Sequence, residues 1–220
     1  MDKTLNNENQ EELEERAKEI EAKTVDTNSL PRYIAVTGIL SAAAFVLQYI
    51  ELAIPIMPSF IKFDFSDLPA LIGSFAMGPY CGILIELIKN LLHSAVSQSF
   101  GVGEISNFIL GAVFVAVAGA FYKHKKTKTS AVAGSLIGAA IMALISFPSN
   151  LFIVYPFYYN FMPKEAVLGM YQVILPAVKS IPQALLIFNV PFTFIKGMIS
   201  VVITFLIYKK LSPLLKGRKG

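Results

Sequence analysis

Five long apolar runs divide the chain, at residues 33–54, 67–97, 104–122, 131–154 and 181–208, separated by polar or proline-broken stretches. Each is long enough for one bilayer-crossing helix of roughly 20 residues, and the second, at about 30, is too long for a single ordinary span. Near its middle stands Gly78-Pro79, a pair that favours a turn. The pattern therefore predicts an all-α membrane protein in which the second run forms two helices.

Splitting that run leaves a short helix, Asp67 to Met77, rising only ~17 Å against a hydrocarbon core of ~30 Å. A short helix leaves a gap, and irregular backbone at that depth survives only where protein or water covers it. The segment before it, residues 55–66, is apolar but interrupted by Pro55 and Pro58. It is expected to fold back as a re-entrant outer loop between the first two helices. Residues 155–180, with Pro156, Pro163 and Pro176, are expected to form a second irregular outer segment. Two apolar caps over an outer cavity describe a binding site.

Charge settles the number of spans. Of the 15 acidic and 19 basic side chains, nine and four fall in residues 1–31, leaving six and fifteen for the rest. Most of the latter flank apolar runs, in Lys123-His124-Lys125-Lys126-Thr127-Lys128 and from Lys209 to Lys219. Lysines so placed mark cytoplasmic membrane edges and not a nucleic-acid-binding face. Six spans put both termini and the Lys123–Lys128 loop on the cytoplasmic side; five would strand the basic carboxyl end outside. The expected fold is a compact six-transmembrane-helix bundle at residues 32–210, between an acidic hydrophilic tail (1–31) and a basic end (211–220). The tail does not read as a signal peptide, lacking a basic start and an apolar core. Its residues 9–22 read as a solvated helix, with Glu15–Lys18 and Glu19–Lys23 pairs of a few tenths of a kcal/mol. Cys81 is the one cysteine, which excludes a disulfide framework or a thiolate metal site.

Polar residues inside the apolar runs are few and grouped, and ionisable groups in oil are functional hypotheses by default. Glu86, Lys89, Asn90 and His93, three and four apart, share one helix face. An internal Glu86–Lys89 pair that pins helices together is the plain alternative. Glu104 and Asn107 open the fourth helix, where Glu104 also suits the helix dipole. Ser66-Asp67-Leu68-Pro69 reads as a helix start capped by Ser66. Capping does not explain Lys62 and Asp64 beside Phe60, Phe63 and Phe65, a set suited to a flat, polar-edged ligand. Asn189, Thr193, Lys196 and Ser200 form one stripe on the last helix. Asn150 adds an amide at the outer end of the fifth, followed by Tyr155, Tyr158 and Tyr159, which suit an interfacial belt or a ligand.

Two surfaces carry small residues. On the first helix Ala35, Gly38, Ser41 and Ala42 include Gly38-x-x-x-Ala42, and Gly134-x-x-x-Gly138 lies on the fifth; both suit close helix approach, internal or to a partner. There is no phosphate-binding Gly-x-x-x-x-Gly-Lys-Ser/Thr loop and no nucleophile elbow. The chain has the residues to bind a molecule but not to hydrolyse ATP by that loop.

The run from Lys62 to Gly73, then Gly78-Pro79, Glu86, and Lys89 to His93, resembles the riboflavin-binding S component of energy-coupling factor (ECF) transporters. Gly103-Glu104, Asn107-Phe108 and Pro191 to Gly197 continue the likeness, which covers residues 33–210. The resemblance implies a six-helix bundle in the bacterial cell (inner) membrane, with riboflavin bound near the outer face under the first loop. It implies no cofactor and no catalysis. The partners would be a coupling transmembrane protein, docked on the small-residue motif of the first helix, and two ATP-binding subunits. Flavin mononucleotide is a second candidate ligand. By the resemblance, contacts come from the loop around Lys62–Asp67, from Asn150, and from Thr193 and Lys196. Thr193 stands where the family often has Asn, and Asn189 one turn earlier is the candidate replacement. Together with the polar clusters this gives Lys62, Phe63, Asp64, Asp67, Glu86, Asn90, Asn107, Asn150, Asn189, Thr193 and Lys196 as ligand-site candidates. An isoalloxazine ring, with donors and acceptors along one edge and two apolar faces, fits that inventory. Other vitamins such as pantothenate or folate fit it too. An intramembrane enzyme using Glu86, His93 and Glu104, or a structural scaffold, are readings of other classes.

Overall fold

A computed structural model describes residues 29–97 and 101–216. The acidic tail with its expected helix at 9–22, and residues 217–220 of the basic end, lie outside the described residues. The chain divides into two compact units at Val36/Thr37. In the first, the described residues 29–36 are the opening turns of helix α1 (Ser29–Tyr49).

The second unit carries the remaining elements. A hairpin of two short strands, β1 (Leu52–Ala53) and β2 (Lys62–Phe63), pairs Leu52 with Phe63 and Ala53 with Lys62. Then come α2 (Asp67–Met77), α3 (Pro79–Ser94) and α4 (Val102–His124). Helix α5 runs from Lys128 to Tyr158 and contains a wide π turn, Asn150–Val154. Helix α6 is Lys164–Ile174. Helix α7 begins with Ile181–Ala184, passes through a π turn at Leu185–Asn189 and continues as Val190–Lys216. Among the described residues four helices are long and apolar enough to cross a membrane, α1, α4, α5 and α7, while α2 is an 11-residue apolar helix.

Gly78 adopts φ +103°, a region that side chains with a Cβ rarely enter, and Pro79 opens α3 directly behind it. The second apolar run therefore turns where its composition predicts. Residues 155–180 differ from the expectation of an irregular segment, because they finish α5 and carry α6, with Pro163 and Pro176 flanking the latter. Pro156 lies in the last turn of α5, Pro163 immediately precedes α6, and Pro176 stands two residues past its end. Each π turn ends two residues before a proline, Pro156 after the first and Pro191 after the second. A proline removes an N–H from the ladder and crowds the carbonyl four residues back, and a widened turn relieves both.

The start of α2 also differs from expectation. Ser66 has helical dihedrals and makes no capping bond. Asp64 Oδ1 instead accepts the Ser66 N–H at 2.8 Å, and the Phe65 carbonyl accepts the Leu68 N–H at 3.1 Å.

The two small-residue surfaces have different fates. A Cβ on Gly138 would meet the Phe114 carbonyl at 2.8 Å and one on Gly134 the Ala118 carbonyl at 3.1 Å. That surface is closed by α4, so it is internal packing and not a docking face. On α1, Thr37, Leu40, Ser41, Ala44 and Gln48 are buried, while Gly38 and Ala42, like Ala35, are exposed. Among the described residues a Cβ on Gly38 would meet nothing within 4 Å. Ser41, expected on the docking face, points inward.

Candidate functional site

Five charged side chains from four segments meet in the interior. Lys89 of α3 is fully buried, and its Nζ lies 2.7 Å from Asp67 Oδ1, 2.8 Å from Glu86 Oε2 and 2.8 Å from Ser66 Oγ. An ammonium has three N–H groups, so Lys89 is saturated. Lys196 of α7 reaches Asp64 Oδ2 at 2.9 Å and Asp67 Oδ2 at 3.6 Å. Those two carboxylates occupy at most two of its three donors. The loop carboxylate Asp64 is thereby tied to a residue 132 positions later. Each charge has an opposite partner, which is the condition for burying it. Gly111 of α4 makes room for the group, since a Cβ there would overlap the Glu86 carboxylate.

Amides extend the network. Asn90 Nδ2 donates to the Glu86 carbonyl at 2.8 Å, and its Oδ1 accepts from Gln48 Nε2 at 3.1 Å and Asn107 Nδ2 at 3.2 Å. His93 Nδ1 and Glu104 Oε1 are 2.9 Å apart. Lys62 pairs with Glu51 across the base of the hairpin. Asn150, in the π turn of α5, donates Nδ2 to the Ser146 carbonyl at 2.7 Å, which leaves its Oδ1 as an acceptor. Tyr171 of α6 donates its hydroxyl to Asn189 Oδ1 at 2.7 Å and shares a second hydrogen bond with the Tyr155 hydroxyl. Burial holds the Tyr171 phenol proton well above the ordinary tyrosine range.

These groups surround two adjoining chambers. The outer one, about 710 Å³, is lined by Gln48, Glu51, Asp64, His93, Glu104 and Tyr158 among others. The inner one, about 190 Å³, is lined by Asp67, Asn150, Tyr155, Asn189, Phe192 and Thr193 among others. Phe60, Lys62, Gly103, Asn107, Tyr158 and Lys196 line both. Such a volume, with apolar walls and a few convergent polar groups, is that of a small-molecule site. Phe60 stands edge-on to Tyr155, Tyr158 and Tyr171 at 6.0–6.2 Å, so the wall it forms is aromatic.

Eight of the eleven residues singled out in the sequence therefore line the chambers: Lys62, Asp64, Asp67, Asn107, Asn150, Asn189, Thr193 and Lys196. Phe63, Glu86 and Asn90 do not. Phe63 is buried edge-on against Phe65 at 4.9 Å and Phe192 at 6.4 Å. Glu86 and Asn90 sit behind the wall and hold Lys89 and Asn107. The lining residues that sequence reasoning passed over include Gln48 and Glu51. Gln48 had a signal, as the one amide inside the first apolar run.

The family described as ECF transporter, substrate-specific component, matches residues 32–208. The chain belongs to this family. It is thus a membrane-embedded transporter component and not an enzyme; Glu86 pairs with Lys89, and His93 is hydrogen-bonded to Glu104. The S component is 34% identical over 179 residues to riboflavin transporter RibU of Staphylococcus aureus, covering 81% of this chain and 89% of that one. It is 30% identical to riboflavin transporter FmnP of Bacillus subtilis, covering 85% and 95%. A solved structure of the S component of a bacterial ECF transporter superposes with a TM-score of 0.67 at 33% identity, over 84% of this chain and 98% of that one.

Proposed function

We propose that this S component binds riboflavin in the two chambers and hands it to a coupling transmembrane protein driven by two ATP-binding subunits. The observation that carries the reading is the set of unspent polar groups facing one cavity. Asn150 Oδ1 offers an acceptor, Lys196 an unused N–H, and Thr193 a hydroxyl, beside the Phe60 and Phe192 rings. A ring with a polar edge and apolar faces suits the inner chamber, and a ribityl chain suits the wetter outer one. The likeness to two riboflavin transporters supports the same ligand.

In this reading the chain crosses the bacterial cell membrane six times with both termini cytoplasmic. The shorter helices α2 and α3 complete the count, and residues 50–66 form the re-entrant outer loop. The lysine-rich turn between α4 and α5 supports that orientation. Titrating the detergent-purified chain with riboflavin is expected to quench flavin fluorescence saturably at micromolar concentration or below. Competition with flavin mononucleotide, pantothenate and folate then ranks the ligands. No quenching with riboflavin, alongside binding of pantothenate or folate, would replace the flavin by another vitamin.

The coupling protein is assigned to the exposed face of α1 that carries Ala35, Gly38 and Ala42. Gly38→Trp is expected to abolish pull-down of the coupling protein while leaving riboflavin affinity unchanged, because none of the described residues crowds that position. Loss of both in parallel assays would make the face part of the chain's own packing.

A further inference from the structure

The inner chamber holds a group whose polarity is set from outside it. Asn189 is buried, and its side chain has an oxygen that accepts and a nitrogen that only donates. Which of the two faces a ligand depends on what holds the other. Tyr171 takes the oxygen, at 2.7 Å from Asn189 Oδ1, and Tyr155 is hydrogen-bonded to Tyr171 in turn. Two directions of this chain are conceivable. With Tyr155 donating to Tyr171 and Tyr171 to Asn189 Oδ1, both phenol protons are satisfied within the protein. With the amide reversed, its nitrogen donates to Tyr171, and whichever way the two hydroxyls then point, one phenol proton is left without an acceptor among the described residues. A buried donor without an acceptor is costly, so the first direction prevails. Tyr171 is itself fully buried, among Val167, Val178, Ile181 and Leu185, and is not free to turn away.

We propose that Tyr171 is a positioning residue that locks the Asn189 amide with its NH2 toward the inner chamber, so that this position selects a ligand acceptor such as a ring carbonyl. Asn150, held at its nitrogen by the Ser146 carbonyl, presents the opposite polarity, an acceptor for a ligand N–H. The chamber thus reads one donor and one acceptor with two amides fixed by different means. The helix that carries Tyr171 lies in the segment whose prolines suggested irregular structure, so a residue of that outer segment sets specificity in the interior. The inference rests on reading the chambers as the riboflavin site.

The test is a double-mutant cycle on the full chain in detergent, read by riboflavin titration. Tyr171→Phe, which removes one oxygen, is expected to weaken binding roughly five- to tenfold, the size of one hydrogen bond to a neutral group. In an Asn189→Ala background the same change is expected to have no further effect. Equal weakening in both backgrounds would mean that Tyr171 acts only through packing and would overturn the proposal. A second arm needs no ligand. With asparagine labelled by nitrogen-15, the Asn189 side-chain NH2 signals, assigned by their loss in Asn189→Ala, are expected to be one sharp pair in the parent and broadened or doubled in Tyr171→Phe. Identical signals in the two proteins would overturn the lock. Should the parent chain not bind riboflavin at all, the flavin reading falls while this second arm still decides the lock.

Discussion

Lys89→Met is expected to destabilise the protein by about 3–5 kcal/mol, the cost of leaving a buried charge without its partner. The methionine fills much of the space, so the loss is electrostatic more than volumetric. Glu86, fully buried, loses its one cation within 3 Å, and Ser66 loses a donor. Asp67 keeps only Lys196, at 3.6 Å. Adding Glu86→Gln to Lys89→Met is expected to recover a large part of the loss, because it removes the carboxylate left most exposed to the imbalance. Unfolding in mixed micelles with rising denaturing detergent measures both variants. A Lys89→Met protein within about 1 kcal/mol of the parent would show that the network does not hold α2 to α3, since that is the range of exposed pairs.

Lys196→Met is expected to act on binding more than on stability, although it too is a buried lysine. The difference lies in how many donors each has spent. Lys89 gives all three to Ser66, Asp67 and Glu86, whereas Lys196 meets two carboxylates and lines both chambers. In the proposed pose its remaining N–H faces the ligand, and a charged hydrogen bond is worth about 1.5–3 kcal/mol, or roughly 10- to 150-fold in affinity. Its removal also frees Asp64, and with it the end of the hairpin that forms part of the outer wall. Riboflavin titration of Lys196→Met is therefore expected to show a loss at or beyond that range. An unchanged dissociation constant would remove Lys196 from the site.

Much of this site was legible because membrane interiors tolerate so few polar residues. Glu86, Lys89, Asn90 and His93 share a face at helical spacing, and the structure turns that face toward α2 and α4. The spacing alone did not say which of them meets a ligand. Glu86 and Asn90 turn out to orient other side chains, since their partners come from distant positions. Lys196–Asp64, 132 positions apart, has no local signature at all. The outer segment was misjudged for a related reason. A proline is a helix breaker in the middle and a helix starter at the first turn, and composition does not distinguish the two until the helix boundaries are known. The π turns that place Asn150 and Asn189 against the inner chamber are likewise a response to neighbouring prolines that hydropathy does not register. Gly134 and Gly38 look alike in sequence, yet α4 fills the space over the first and no described residue covers the second.

The account rests on the charged and amide side chains converging on one ligand. A structure of the chain determined with riboflavin bound tests this directly. Flavin density is expected in the inner chamber, its polar edge within hydrogen-bond reach of Asn150, Asn189 and Lys196, with the ribityl chain toward His93 and Glu104. Flavin bound elsewhere, with the Lys196 and Asn150 groups sealed against neighbouring helices, would contradict it.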